Sequence, residues 1–211
     1  MLHRHNRYDK QKKDMNRQLV QMFTILDQML ADLSSYKAEK KPSKADEITK
    51  LEEEINKKEK SLEQTVIDLL SVQHATVKDM RDFLSKMKMS RDLERIGDHI
   101  ISLLNTFQRT GSLPAWMLEE LDSIISMERK MLEKIKDGIV DENDRVIKET
   151  IAMDDQIDHS HMMLFEKLVR DMKESGIDAD TGAKLIMILR FLERLGDHIV
   201  NIGEAYLDFK S

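Results

Sequence analysis

The chain has 211 residues, with 40 acidic against 34 basic side chains for a net charge of −6, and no cysteine. That balance argues against a general nucleic-acid binder, and the missing thiols exclude disulfides and thiolate metal sites and fit a reducing compartment. With 7 Gly, 2 Pro and 35% charged residues, the composition is that of long amphipathic helices, an all-α fold with length for one large or two small domains.

The amino terminus, Met1 to Arg7, is charged and no apolar run follows it, so no secretory leader is expected. No run of ~18 or more apolar residues is long enough to span a bilayer, so a cytoplasmic location is expected, with any membrane connection made through a partner. A first helix is predicted from near Arg7 to Ala38 on the stripe Leu19, Phe23, Leu26, Leu30 and Leu33, and Lys40-Lys41-Pro42 stops it. Ser43, with Asp46 three residues on, reads as the N-cap of a second helix on Ile48, Leu51, Ile55, Leu62, Val66 and Leu69. Its charged stretch from Lys50 to Glu63 is the solvated face. Near Gln73 to Thr76 the chain ends or bends, and Val77, Met80, Leu84, Met87, Ile96, Ile100, Leu103 and Phe107 mark a third helix.

Thr110-Gly111-Ser112-Leu113-Pro114 is the clearest break, with glycine after one helix and proline before the next. It divides the chain into residues 1–109 and 110–211. A fourth helix takes Leu118, Leu121, Ile125, Leu132 and Ile135 and stops at Gly138. Asp141 starts a fifth, on Val146, Ile147, Ile157, Leu164, Leu168 and Met172, which runs to Gly176; Asp178 or Asp180 caps the sixth. Trp116, beside Pro114, is expected to pack across the junction, and the methionines to fill the core.

The third and sixth helices carry nearly the same string, Arg91-Asp92-Leu93-Glu94-Arg95-Ile96-Gly97-Asp98-His99-Ile100 and Arg190-Phe191-Leu192-Glu193-Arg194-Leu195-Gly196-Asp197-His198-Ile199. Agreement in register over so many residue types marks a duplication, so the architecture expected is two tandem pseudo-symmetric three-helix bundles built from six long antiparallel helices. Four residues apart on a helix, Glu94 and Asp98, and likewise Glu193 and Asp197, stand side by side with Cβ atoms ~6 Å apart. Taking Glu193 as 0°, Leu185, Ile188, Leu192, Leu195, Ile199, Ile202 and Tyr206 fall at roughly 180° to 280°, while Asn201 and Glu204 return beside the acids, which face outward. Such an oxygen face can hold a cation; equally, Arg91, Arg95, Arg190 and Arg194, each three residues before an acid, can reduce it to surface ion pairs. Gly97 and Gly196 each cost a helix ~1 kcal/mol relative to alanine, a cost offset if the missing side chain leaves room for an ion, a partner helix or a close backbone.

On the second helix of each half, Glu52 stands opposite Asp154 and Glu59 opposite His161, close to the apolar stripes. Asp154, Asp158 and His161, at i, i+4 and i+7, read either as ordinary interhelical hydrogen-bonding groups or as additions to an ion site. No phosphate-cradling glycine loop, nucleophile elbow or Ser/His/Asp arrangement occurs, so no enzyme activity is expected. A ferritin-like di-iron enzyme would need inward carboxylates and Glu-x-x-His pairs, which this sequence lacks.

The strings Leu93 to His99 and Leu192 to Glu204 resemble the signature of the PhoU family of phosphate-signalling regulators. Arg7-Tyr8-Asp9, the stretch Gln73 to Arg81 and Asp154-x-x-Ile157-Asp158 fit other parts of the family pattern, so the resemblance covers nearly the whole chain. It implies that Glu94, Asp98, Glu193 and Asp197 are metal ligands, to which helical spacing adds Asn201, Glu204, Asp154 and Asp158 as further candidates. It also implies a negative regulator of phosphate uptake, passing a signal between the ATPase subunit of a phosphate ABC transporter and a sensor histidine kinase, and self-association as a homodimer. The alternatives are an accessory protein of a low-affinity phosphate permease and a structural helical adaptor without metal. Oxygen ligands select hard ions, here Mg, Mn, Ca or Fe, over zinc. The chain departs from the family pattern at Ala75, where the family has proline. Asn105 and Ser102 stand where the second half has Glu204 and Asn201, so the first site is expected to be the weaker.

Overall fold

The computed structural model describes residues 2–71, 76–111, 113–174 and 176–210, with side chains from residue 10 onward. They form α1 (Leu2–Glu39), α2 (Pro42–Leu70), α3 (Val77–Arg109), α4 (Ala115–Val140), α5 (Asp144–Ile151), α6 (Asp154–Glu174) and α7 (Ala179–Lys210). The predicted stripes of the first two helices and of α7 face inward: Leu19, Phe23, Leu26, Leu30, Leu33, Ile48, Ile55, Leu62, Val66, Leu69 and every apolar residue from Leu185 to Tyr206 on that stripe are buried. Helices α1, α2 and α3 pack on one another, as do α4, α5, α6 and α7, and the two sets meet where α3 lies on α7 and α1 on α4. The α1–α4 seam is pinned by Lys37, buried and paired with Asp122 at 2.6 Å, and by Arg129, whose Nε and Nη2 donate to the two oxygens of Asp27 at 2.8 and 3.1 Å.

Several local features differ from the sequence expectations. The fifth helix is interrupted at Ala152-Met153, giving α5 and α6: the Met153 amide takes the Thr150 carbonyl and the Gln156 amide the Met153 carbonyl, each three residues back, in place of the four-residue helical bond. Asp154 and Asp155 open α6, where carboxylates suit the positive end of the helix dipole. Asn143, not Asp141, caps α5 by accepting from the Val146 amide. Pro42 at the first helical position starts α2 in place of a Ser43 cap, its missing N–H costing nothing there. Gly138 lies inside α4 rather than after it, because Ile147 packs so closely that a Cβ there would stand 2.6 Å from Ile147 Cγ1. Trp116 is partly buried against the core and carries the Lys167 ammonium of its own half 3.9 Å over its ring. Of the core methionines expected, Met131 is buried, Met87, Met153 and Met172 pack on the core edge, and Met80 is exposed.

The start of α3 is out of phase with its predicted stripe. Val77 and Leu84 are 66% and 48% exposed while Phe83 is buried, since a face set by Ser90, Leu93, Gly97 and Ile100 projects back to position 83 rather than 84. Gln73, His74 and Ala75 lie outside the described residues. Thr76 and Asp79 form a reciprocal capping box, and Lys12 of α1 donates to Asp79 at 2.7 Å. The Lys12 and Thr76 hydrogen bonds hold the Asp79 carboxyl well below the usual carboxylate range. A depressed carboxyl lends stability that is complete above its unfolded value of about 3.9 and drains as pH falls towards its folded value. Asp79→Ala is therefore expected to lower the denaturation midpoint at pH 7 by about 1 kcal/mol equivalent, with the gap to wild type narrowing steadily below about pH 4. Urea titrations at stepped pH check this; a gap constant from pH 7 to pH 3 contradicts it.

Candidate metal centres

Helices α3 and α7 run antiparallel, tied by the Ser85 hydroxyl donating to the Ala205 carbonyl at 2.7 Å and by His198 Nδ1 at 2.9 Å from Asp92 Oδ1. The two copies of the repeated string therefore lie against each other. His99 and His198 stack with ring centroids 5.4 Å apart, and Phe191 stacks on His99 at 6.1 Å. Asp92 and Phe191 hold the same place in the two strings, so one histidine meets a carboxylate and the other a phenyl ring. Burial, with His198 and Arg194 nearby, lowers the His99 imidazole to about 4 and keeps it neutral near pH 7.

With histidine turned to the other repeat, the glycines face their own. A Cβ on Gly97 would meet Ile55 Cγ2 and Leu26 Cδ2, each at 3.7 Å; on Gly196 it would meet Asp154 Oδ1 at 3.4 Å and Glu128 Oε1 at 4.0 Å. The same residue thus covers hydrocarbon in one half and carboxylates in the other.

The acids take the remaining face, beside the second helix of each half. Glu94 and Asp98 are half-buried, and the Glu94 carboxyl is raised by burial and by the charges of Asp98, Glu59 and Glu52. Asn56 donates to Glu52 at 2.5 Å. Arg95 lies on this pair, 3.1 Å from Asp98 and 3.5 Å from Glu94. In the second half Asp154 is half-buried and its carboxyl is pushed up to about 6 by burial and by Asp158, Asp197 and Asp155. Glu193 and Asp197 are exposed, and among the described residues no lysine or arginine pairs with Asp154, Asp158, Glu193 or Asp197. Asn201 is half-buried and Glu204 exposed further along the helix. Ser102 is occupied with the Asp98 carbonyl at 2.9 Å, and Asn105 is exposed.

The structure thus brings Asp158 and Asp197 within electrostatic reach of Asp154, and Glu52, Glu59 and Asp98 within reach of Glu94. The donor sets fit a hard cation in kind, being carboxylates on adjacent helices with a charge excess. As they lie, no three acid or histidine side chains among the described residues converge on one point, so binding an ion takes side-chain rotation. Glu128, wholly buried beneath Gly196, went unnoticed in the sequence. The available signal was a carboxylate in the middle of the α4 stripe, flanked by Ile124, Ile125, Met131 and Leu132.

A family profile described as "PhoU domain" matches residues 19–106 and 121–206. The chain belongs to the PhoU family. Among similar PhoU proteins, a "Phosphate-specific transport system accessory protein PhoU homolog" of Clostridium acetobutylicum is 26% identical over 148 residues, 69% of this chain and 68% of that one. A homolog so described from Rhizobium meliloti is 22% identical over 212 residues, covering 97% of this chain and 88% of its own. The fold matches the crystal structure of the phosphate transport system regulatory protein PhoU from Streptococcus pneumoniae, with a TM-score of 0.87 at 22% identity and 97% of each chain covered. PhoU from Pseudomonas aeruginosa matches with a TM-score of 0.88, also at 22% identity, over 96% of this chain and 98% of that one. The all-α architecture of two PhoU repeats stands on these matches, and no described helix is long and apolar enough to cross a membrane.

The unequal glycine sites of this PhoU chain carry a direct test. Gly97→Ala fills ordinary contact space and is expected to gain up to ~1 kcal/mol from helix propensity. Gly196→Ala sets a methyl in van der Waals contact with the Asp154 carboxylate, where it displaces solvent from a charged group, and is expected to gain less or to lose stability. Chemical denaturation of both variants checks the contrast; equal gains contradict it.

Proposed function

We infer that this chain is a metal-binding regulator of phosphate uptake and phosphate-starvation signalling, acting in the cytoplasm by contact rather than by catalysis. The carrying observation is the pairing, in each PhoU repeat, of the α3 or α7 acids with acids of the neighbouring helix, Glu52 and Glu59 in one and Asp154 and Asp158 in the other. Relatives described as accessory proteins of a phosphate-specific transport system support the physiological setting. The partners proposed are the transporter ATPase subunit and a sensor histidine kinase, with self-association as a homodimer of two-repeat chains divided near residue 110. The proposed ligands are Glu94 and Asp98 in the first repeat and Glu193 and Asp197 in the second, with Asp154, Asp158, Asn201 and Glu204 as additional donors. The ions proposed for these oxygen faces are hard ones, Mg, Mn, Ca or Fe.

An empty acid face repels acidic partners and anionic membrane surfaces, and a filled one does not, so ion and partner binding are coupled, each strengthening the other. Service to a low-affinity phosphate permease is the second reading in the same class; recovery of that permease instead of the ATPase or kinase on pull-down would select it. Glu193→Ala with Asp197→Ala is expected to lower bound metal while leaving helical circular dichroism intact, because both side chains are exposed. Unchanged metal stoichiometry removes them as ligands. Since Arg95 competes for the Glu94–Asp98 pair, the first site is expected to empty first on dialysis, read as faster metal loss from the Glu193/Asp197 variant than from a Glu94→Ala/Asp98→Ala variant. Equal loss rates contradict that order. Deleting the gene is expected to derepress phosphate-starvation genes at high phosphate, and continued repression counts against the regulatory role.

A further inference from the structure

Glu128 is 0% exposed, and neither of its carboxylate oxygens has a hydrogen-bond partner. His161 of α6, 7% exposed, is in the same condition at both ring nitrogens. Its Nε2 stands 3.9 Å from Glu128 Oε1, too far for a hydrogen bond. Burial raises the Glu128 carboxyl well above its ordinary value, with Asp154 adding to the rise, and burial lowers the imidazole. Each buried polar atom without a partner costs ~1–3 kcal/mol, so four in one place mark a site whose partner is a ligand or whose cost serves a function.

The fold itself does not need them. Leu26 lies under Gly97 and Glu128 under Gly196, and aligning Ile55 with Ile157 sets Glu59 opposite His161. Leu26 is fully buried. The first repeat therefore closes the same space with hydrocarbon. In the second, Glu128 and His161 lie inward of Asp154, which with exposed Asp158 leads to the surface.

We propose that Glu128, His161 and Asp154 form a buried metal centre, peculiar to the second repeat, that takes a first-row transition-metal dication. An imidazole nitrogen among carboxylates favours borderline ions such as Zn²⁺, Fe²⁺ or Ni²⁺ over Mg²⁺ and Ca²⁺. The ion supplies the charge that buried Glu128 and half-buried Asp154 lack and a partner for the orphaned oxygen and nitrogen, and the donors close on it by side-chain rotation. This deepens the metal reading of the second acid face, sharing Asp154 with it, but depends on different side chains.

The test is titration of the metal-stripped full chain with Co²⁺, whose visible ligand-field bands report nitrogen coordination. Wild type is expected to bind one Co²⁺ with such a band and a rise in melting temperature. Glu128→Leu, which copies the first repeat, is expected to fold, to be more stable than wild type without metal, and to lose both the band and the rise. His161→Gln, checked for intact helicity, is expected to weaken Co²⁺ binding by more than the roughly 10–100-fold that loss of an outer-shell partner causes. Glu193→Ala/Asp197→Ala is expected to keep the band. The proposal is overturned if wild type gives no nitrogen-type band, or if folded Glu128→Leu or His161→Gln binds Co²⁺ as wild type does. It is equally overturned if the Glu193/Asp197 variant loses the band along with its hard ions. Loss of hard ions alone in that variant supports the outer face and the inner centre as separate sites.

Discussion

The antiparallel contact of α3 with α7 decides where every residue of the repeated string points. Once His99 and His198 stack on each other and His198 meets Asp92, the glycine of each string faces the interior of its own repeat. Glu94, Asp98 and Asp197 are then left beside the acids of α2 and α6. A helix presents its residues at ~100° steps, so within seven residues the histidine turns to the other repeat while the glycine and acid turn to their own. The string is thus a packing element and a candidate ion-binding element at once.

Much of this was legible in the chain. The stripes of α1, α2 and α7 follow from long apolar periodicity, and the duplication from two strings in register, because both signals are local and repeated over many turns. The exposure of Val77 and Leu84 was not legible, since a one-residue shift of the buried face moves it by only ~100° and the apolar residues of α3 suit either phase. The break at Ala152-Met153 has no glycine or proline to announce it, and the Thr150 hydroxyl bonded back to the Val146 carbonyl is a bond that unbroken helices of the chain also contain. The acid pairs were visible as spacing, but the nearness of Asp197 to Asp154 and of Glu52 and Glu59 to Glu94 required knowing which helices lie together. Glu128 was visible only as an interruption of an otherwise apolar stripe.

The two repeats share a fold and differ in electrostatics. Arg95 sits on the acids of the first, while none of the described lysines or arginines pairs with those of the second. Leu26 and Glu128 occupy matching core places, and Asp92 and Phe191 matching places on the interface. Duplication gives two copies of a scaffold, and these substitutions give each copy different side-chain chemistry. Unpaired carboxylates destabilise a fold by self-repulsion and desolvation, so the second repeat has the more to gain from a bound cation.

All of this depends on the two strings locking together through their histidines. The most direct measurement is a double-mutant cycle across that contact, with Asp92→Asn, His198→Gln and the pair compared by urea denaturation. The account expects a coupling of about 0.5 kcal/mol or more, as for side chains in direct contact, while single losses at Arg190, exposed on the same helix, stay additive with Asp92→Asn. Additivity of Asp92 and His198 to within about 0.3 kcal/mol would contradict it.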